Sequence, residues 1–342
     1  MYIRLFNTMS ERVLASVKEI DSITPIENAD AVECAHIGGW SVVVAKGEYT
    51  PGILAVYIEI DSWVPFTIAP FLSKGKPPNS YQGVLGERLK TLKIRGQLSQ
   101  GLLLPADPSW TLGQDVTNVL GILKWEAQIP PSLMGLMKGD FPCFIPKTTQ
   151  NRVQNLKPDE MSLYSQMKWE ITEKLDGSSM TVFIDAGDEF CVCSRNVNLS
   201  YSKTNAFWMA AKHQKLEDVV RSNPTLAIQG ELIGEGIQKN PYKISMKTSS
   251  ASHLFYVFDI YDVKKGEYYT PLQRQEFVKN NNLLHVPIIN DDANFGKDER
   301  ASIIKGAEGK SALCATTERE GLVYKCITDP KYHFKAISNA FL

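Results

Sequence analysis

The stretch Trp169-Glu170-Ile171-Thr172-Glu173-Lys174-Leu175-Asp176-Gly177-Ser178-Ser179-Met180 decides how this chain is read. A strand-like run ends at Asp176-Gly177, a dipeptide suited to a tight turn, and a second run follows through Thr181-Val182-Phe183-Ile184. The expectation is a β-hairpin with Lys174 where the first strand enters its turn and with Glu173 and Asp176 close by. A lysine there packs poorly but projects well into a cleft, where its amine would attack the α-phosphate of a nucleotide and form a lysyl-nucleotide adduct. The same residues also suit an ordinary hairpin with an exposed lysine. Lys-x-Asp-Gly arises by chance in roughly 10 % of chains this long, so the rest of the sequence has to decide.

The 342 residues suffice for two domains with separate cores. A formal net charge of -1 gives no global basic field, so any contact with a polyanion must come from local clusters. Six cysteines (Cys34, Cys143, Cys191, Cys193, Cys314 and Cys326) show neither Cys-x-x-Cys pairing nor matching histidine spacing. That argues against structural zinc and against a disulfide framework. The N-terminus has no apolar signal core, and no apolar run approaches the ~20 residues of a membrane span. The expectation is a soluble monomer in a reducing, intracellular, cytoplasmic setting with no membrane contact.

Residues 1–145 read as short β segments with regular turn punctuation. Val13–Ile20, Ala31–Ile37, Trp40–Val44 and Leu54–Ile60 are broken by Glu27-Asn28-Ala29-Asp30, Gly38-Gly39 and Thr50-Pro51-Gly52. Strands at this spacing with no long helix between them suggest a small barrel or sandwich. The phrase Ile23-Thr24-Pro25-Ile26-Glu27-Asn28-Ala29-Asp30 and the later Leu54–Asp61 strand resemble the OB-type barrels of tRNA-handling proteins. In Arg88-Leu89-Lys90-Thr91-Leu92-Lys93-Ile94-Arg95-Gly96, Lys90, Lys93 and Arg95 would join Arg88 in a phosphate-tracking strip, or else form a solvated sheet face. Proline punctuation from Ile129-Pro130-Pro131 to Ile145-Pro146 marks a boundary near 145, within about ten residues.

In residues 146–342 the strand Phe190–Ser194 ends at Arg195, which would reach a ribose or phosphate. Lys203 to Arg221 shows helical spacing and ends before Asn223-Pro224. The strand Leu226–Gly234 carries Glu231 among apolar neighbours, so that acid is either a site residue or salt-bridged. A polar loop follows with Lys239 and Lys243. Leu254–Tyr261 is apolar and aromatic, a central strand whose Phe255 would stack on a purine. Thr270-Pro271 opens a helix that stops at Asn280-Asn281-Asn282, and a second helix covers Glu299–Glu308. The last two strands are Glu318–Ile327, with Glu320 and Lys325, and Tyr332–Ile337, with His333 and Lys335 on one face.

The order Lys174-Leu-Asp176-Gly177, Ser194-Arg195, Gly230-Glu231-Leu232, Phe255–Asp259, Glu320-Gly321-Leu322-Val323 and Phe334-Lys335 resembles the covalent nucleotidyltransferases, meaning polynucleotide ligases and capping enzymes. The Gly-Glu-Leu form and the closing Lys-Ala-Ile-Ser-Asn-Ala-Phe-Leu are most similar to RNA ligases. With the barrel placed first, the whole chain resembles the Deinococcus-type ATP-dependent RNA ligases. The resemblance implies an α+β chain: an OB-like β-barrel that binds nucleic acid, then an ATP-grasp-like nucleotidyltransferase domain of antiparallel sheets and helices.

It also implies roles for the residues. Lys174 would take AMP from ATP and pass it to an RNA 5′-phosphate, and a 3′-hydroxyl would displace the AMP to seal a nick in a duplex. Glu173, Arg195, Phe255, Lys325 and Lys335 would bind the nucleotide, with Arg195 holding either the ribose or the strand end. Asp176, Glu231 and Glu320 would hold Mg²⁺ or Mn²⁺, largely through its waters. Lys90, Lys93, Arg95, Lys239 and Lys243 would face the RNA or nicked duplex. His333 stands where the family commonly has a first lysine. A free lysine is protonated at neutral pH, and three carboxylates favour the cation further, so a divalent ion is needed beside Lys174. The alternatives are a GTP-using capping guanylyltransferase, a DNA ligase, and a non-catalytic RNA-binding protein with a decayed transferase domain.

Overall fold

The computed structural model describes residues 12–249 and 251–342, so part of the reading of the N-terminus lies outside the described residues. The chain divides into two compact units between Gln128 and Ile129. No helix among the described residues is long and apolar enough to cross a membrane.

The first unit is built from antiparallel strands. Ala15–Glu19, Leu54–Ile58 and Leu102–Pro105 form one sheet, and Ser22–Pro25, Val32–Ile37 and Trp40–Ala45 form a meander beside it. Val17, Val56, Ile58 and Val64 close one core, and Ile37, Trp40, Val42 and Tyr57 close a second. Arg88 to Gly96, read from sequence as one basic stretch, is interrupted. Val84–Arg88 ends one strand, and Leu92–Ile94 pairs with Gln97–Ser99 around a left-handed turn at Arg95 and Gly96. Arg88 lies 2.5 Å from Asp61 and over the ring of Trp125, so it belongs to no phosphate strip. Lys90, Lys93 and Arg95 are exposed.

The second unit holds two sheets. The eight-stranded one runs through Met137–Asp140, Val197–Leu199, Phe190–Ser194, Ser178–Ile184, Leu226–Gly234 and His253–Asp262. The five-stranded one has the order Asn151–Arg152, His333–Ile337, Gly321–Cys326, Trp169–Lys174 and Ile288–Ala293. The first buries Met180, Val182, Leu232, Phe255 and Val257 against Phe207, Ala210 and Leu216. The second buries Trp169, Tyr324 and Phe334 with Phe295 and Ile303.

Four expectations change here. The domain boundary falls at 128 rather than near 145, because Met137–Asp140 pairs with Val197–Leu199 and carries the proline-rich stretch into the second unit. Lys203 to Arg221 is two helices, Ala206–His213 and Leu216–Arg221, with Lys215 left-handed between them. The basic stretch in the first unit is broken as described above. Finally, the Lys174 segment is not a hairpin. Trp169–Lys174 pairs with strands of the five-stranded sheet and Ser178–Ile184 with strands of the eight-stranded one, so residues 175–177 cross from sheet to sheet. Gly177 serves close approach: a Cβ there would run into the Leu232 carbonyl and the Glu231 and Ile233 side chains. By contrast, the helix Pro271–Asn280 has the expected Thr270 cap, which accepts a hydrogen bond from the Gln273 amide.

Candidate active site

The sheet-to-sheet crossing explains why Lys174 is where it is. The lysine ends a strand of one sheet, and Glu231 lies in the neighbouring sheet opposite Ser179. Glu320 immediately precedes the strand Gly321–Cys326, whose Gly321 pairs with Lys174. Lys174 Nζ donates to Glu320 Oε2 at 2.6 Å, with both side chains partly buried. An open cleft of about 710 Å³ surrounds the amine, lined among others by Lys174, Glu231, Arg195, Phe258 and Lys335.

The electrostatics are lopsided. Burial works to lower the Lys174 pKa, but Glu320, Glu231 and Asp176 outweigh it and hold the amine above its ordinary value. Burial pushes Glu231 up to about 8, helped by Glu320 and Asp176 against the opposing effect of Lys174. Asp176 rises to about 6 from burial and the charge of Glu320. Three acids around one ammonium leave an excess of negative charge that a divalent cation would neutralise. No group of three metal-ligating side chains converges among the described residues, so a cation here would be held largely through water.

Glu173 lines the cleft and is 1 % exposed. Its Oε2 accepts from the Ala312 amide at 2.7 Å, while Oε1 has no hydrogen-bond partner. Burial raises its pKa. Lys325 also lines the cleft, but its ammonium is committed to Asp259 Oδ1 and the Phe258 carbonyl, both at 2.5 Å. Arg195 sits exposed, donating to the Thr148 carbonyl at 3.3 Å. His333 pairs across strands with Lys325, and burial holds its pKa below the ordinary value, so it is a neutral ring and no substitute for a lysine cation.

Phe255 is a correction. It is wholly buried in the core against the helices and cannot reach a base. The strand His253–Asp262 carries a bulge: Gln229 pairs with Asp259 while the next residue, Gly230, pairs with Val257. The extra residue is Phe258, which lines the cleft. Sequence reasoning also missed Thr148, Thr149 and Gln150 in the lining. The parallel pairing of Asn151–Arg152 with Phe334 and Lys335 brings them there, and nothing local signals such a contact. Lys239 and Lys243 are exposed and do not line the cleft, and Lys243 Nζ donates to Thr316 Oγ1 at 2.9 Å.

Tyr242, also unforeseen, fixes the crossing itself. Its buried hydroxyl accepts from the Asp176 amide at 2.6 Å, and Gln238 Nε2 donates to the Gly177 carbonyl at 3.3 Å. Tyr242→Phe would leave the Asp176 amide unpaired, a loss of about 1–3 kcal/mol. The lysyl-adduct formation that the sequence leads one to expect should then slow about tenfold. An unchanged rate would show that the crossing holds its shape without the hydroxyl.

An RNA ligase family model matches residues 167–337, and an OB-fold domain model matches residues 14–106. No curated protein matches the chain. Among solved structures, the chain is similar to Naegleria gruberi RNA ligase at 44 % identity, over 96 % of this chain and 98 % of that one. The TM-score is 0.82 for a variant with AMP and Mn and 0.81 for a lysine-to-alanine variant with ATP and Mn. The same ligase with PPi gives 0.81 at 44 % identity, over 97 % of this chain and 98 % of that one.

Proposed function

The chain belongs to the RNA ligase family, and from that premise we propose that it uses ATP to join RNA 3′-hydroxyl and 5′-phosphate ends at nicks in duplexes. RNA ligases are nucleotidyltransferases. The observation that carries the reading is Lys174 Nζ at 2.6 Å from Glu320, inside a cleft walled by Glu231, Phe258 and Lys335. The ammonium must first lose its proton to solvent, because Glu320, Glu231 and Asp176 all favour its charged form. The freed lone pair then attacks the α-phosphorus of ATP, and the bond to the leaving pyrophosphate breaks. A divalent ion, as in the Naegleria complexes with Mn, supplies the positive charge that lowers the amine's pKa and screens the acids. Lys335 offsets charge on the departing phosphates. Phe258 stacks on the base, and Glu173 Oε1, buried without a partner, accepts from the exocyclic amine of adenine.

The barrel-first order supports the Deinococcus-type assignment within the family, with the first unit as the nucleic-acid-binding domain through Lys90, Lys93 and Arg95. Six free cysteines suit a monomer working in a reducing, cytoplasmic compartment. Matched nicked duplexes that differ only in the sugar bearing the 3′-hydroxyl test the substrate. A ribose end should be sealed at least tenfold faster than a deoxyribose end, about 1.4 kcal/mol of discrimination. Equal rates would make this a general polynucleotide ligase.

A further inference from the structure

The acid Glu173 is held by a loop that carries none of the sequence motifs. Residues 309–319 leave the end of the helix Arg300–Gly306 and return to Glu320. The Arg319 amide donates to the Gly309 carbonyl and the Ser311 amide to the Thr317 carbonyl, both at 2.9 Å. Lys310 forms an ion pair with Glu318 across the same gap, so the two arms are zipped together. Beyond the zip, the Ala312 amide donates to Glu173 Oε2 at 2.7 Å. Leu313 packs on the cluster of Leu175, Ile233 and Tyr242, and Thr317 Oγ1 donates to the Pro241 carbonyl at 2.7 Å.

Arg319 fastens this loop to the helix before it. Its Nε donates to the Ala307 carbonyl at 2.9 Å, and its Nη2 to the Gly306 and Glu308 carbonyls at 2.7 and 2.6 Å. Carbonyls at a helix C-terminus lack partners within the helix and carry partial negative charge, and a guanidinium answers both needs. Gly309 has a φ of +135°, and a Cβ there would lie 3.3 Å from Arg319 Nη2, so glycine lets the chain pass the guanidinium. A lysine, with a point charge in place of a planar fork, would not hold all three carbonyls. One side chain thus fixes the closed end of the loop that grips Glu173.

We propose that residues 309–319 set the purine specificity of the ligase, the Ala312 amide pinning Glu173 to a 6-amino purine and Arg319 acting as the positioning residue that latches the loop. The inference rests on the ligase reading above, with Glu173 as the acceptor for the base. The Ala312 amide occupies Oε2, and Oε1 has no hydrogen-bond partner among the described residues. An ionised carboxylate only accepts, so Oε1 suits the 6-amino group of adenine and opposes the 6-keto oxygen of hypoxanthine. The nearest donor of a 6-keto purine is the ring N1–H, one position away. A carboxylate free to swing could follow the donor to N1, whereas one pinned by a backbone amide on a latched loop cannot. The 6-keto base then leaves a buried acceptor unpaired.

The test uses the full chain and follows adduct formation in single turnover with Mn²⁺ and either ATP or inosine triphosphate over a range of concentrations. Wild type should favour ATP by about tenfold or more in the ratio of rate to half-saturating concentration. Ala312→Pro removes the amide donor and should bring the two triphosphates toward parity, while Ala312→Gly keeps the donor and should keep the preference. Arg319→Gln should also move the ratio toward parity with residue 312 intact, which covers the case in which Ala312→Pro fails to fold. Equal losses with both triphosphates, leaving the ratio at its wild-type value, would make the loop a mere support and overturn the proposal. A wild type that labels equally well with both also overturns it. Failure of the wild type to form adduct with either triphosphate would instead overturn the ligase reading itself.

Discussion

Lys174→Ala is expected to abolish AMP adduct formation outright. A covalent nucleophile has no partial substitute, because the phosphoramide bond requires a nitrogen lone pair at the α-phosphorus. Lys174→Arg should fail as completely, since a guanidinium with a pKa above about 12 never frees its lone pair at working pH. The decisive comparison is between labelling and binding. The proposed nucleotide contacts Phe258, Glu173 and Lys335 are unchanged by the substitution, so ATP should still bind to Lys174→Ala when adduct is absent. Removing the ammonium beside Glu320 also removes the charge that draws the Glu231 pKa down, so that acid holds its proton to higher pH. Incubation with radiolabelled ATP and Mn²⁺, followed by denaturing separation, reads the adduct directly. Wild-type labelling of Lys174→Ala would refute the assignment of the nucleophile.

What the sequence made legible were features written in short range. The strand carrying Glu231, the Thr270-capped helix and the order of the six motif segments were all local patterns, and each has its place in the fold. What escaped were consequences of pairing at a distance. A one-residue bulge moved the cleft-facing ring from Phe255 to Phe258, and alternation along a single strand carries no sign of a bulge set by its partner. Asp176-Gly177 looks like hairpin chemistry, yet the glycine answers the closeness of the Glu231 strand, and the two flanking strands part company. Tyr242 and Thr148 reach the site from loops whose composition is that of any surface segment. Arg274, inside a predominantly polar helix, gave no hint that it would be 1 % exposed.

That arginine supports the second large expectation: Arg274→Met should destabilise the second unit by about 3–5 kcal/mol. Arg274 donates to Glu170 Oε2 and, at 2.9 Å, from Nε to His285 Nε2, and its Nη1 lies 3.8 Å from Asp259. Gln275 Nε2 holds the other oxygen of Glu170 at 2.6 Å, and Lys325 holds Asp259. The cluster ties the Glu170 strand of one sheet to the Asp259 strand of the other, directly behind the cleft walls Phe258, Lys325 and Val286. Without the guanidinium, Glu170 is a buried charge with one amide for company. At about 2–4 °C per kcal/mol for a unit of this size, the melting temperature should fall by roughly 10 °C. Glu170→Met added to Arg274→Met should recover much of the loss, because it removes the stranded charge.

The same cluster sets an acid limit. Burial and the Arg274 charge hold His285 neutral, with its pKa down at about 4. The unfolded chain therefore binds a proton that the folded one does not between pH ~6.5 and 4, and stability is lost as pH falls through that window. Burial opposes the charge of Glu170, but Arg274, Gln275 and Lys325 prevail and hold its pKa low, so its contribution is lost as pH falls below its ordinary value of 4.5. Melting temperatures across pH 4–7 should thus fall toward acid in the wild type and respond less in Arg274→Met, where His285 is freed from its neighbour's charge. If Arg274→Met melts within about 2 °C of wild type across that range, the two sheets are held by their apolar faces alone and the cluster is a passenger.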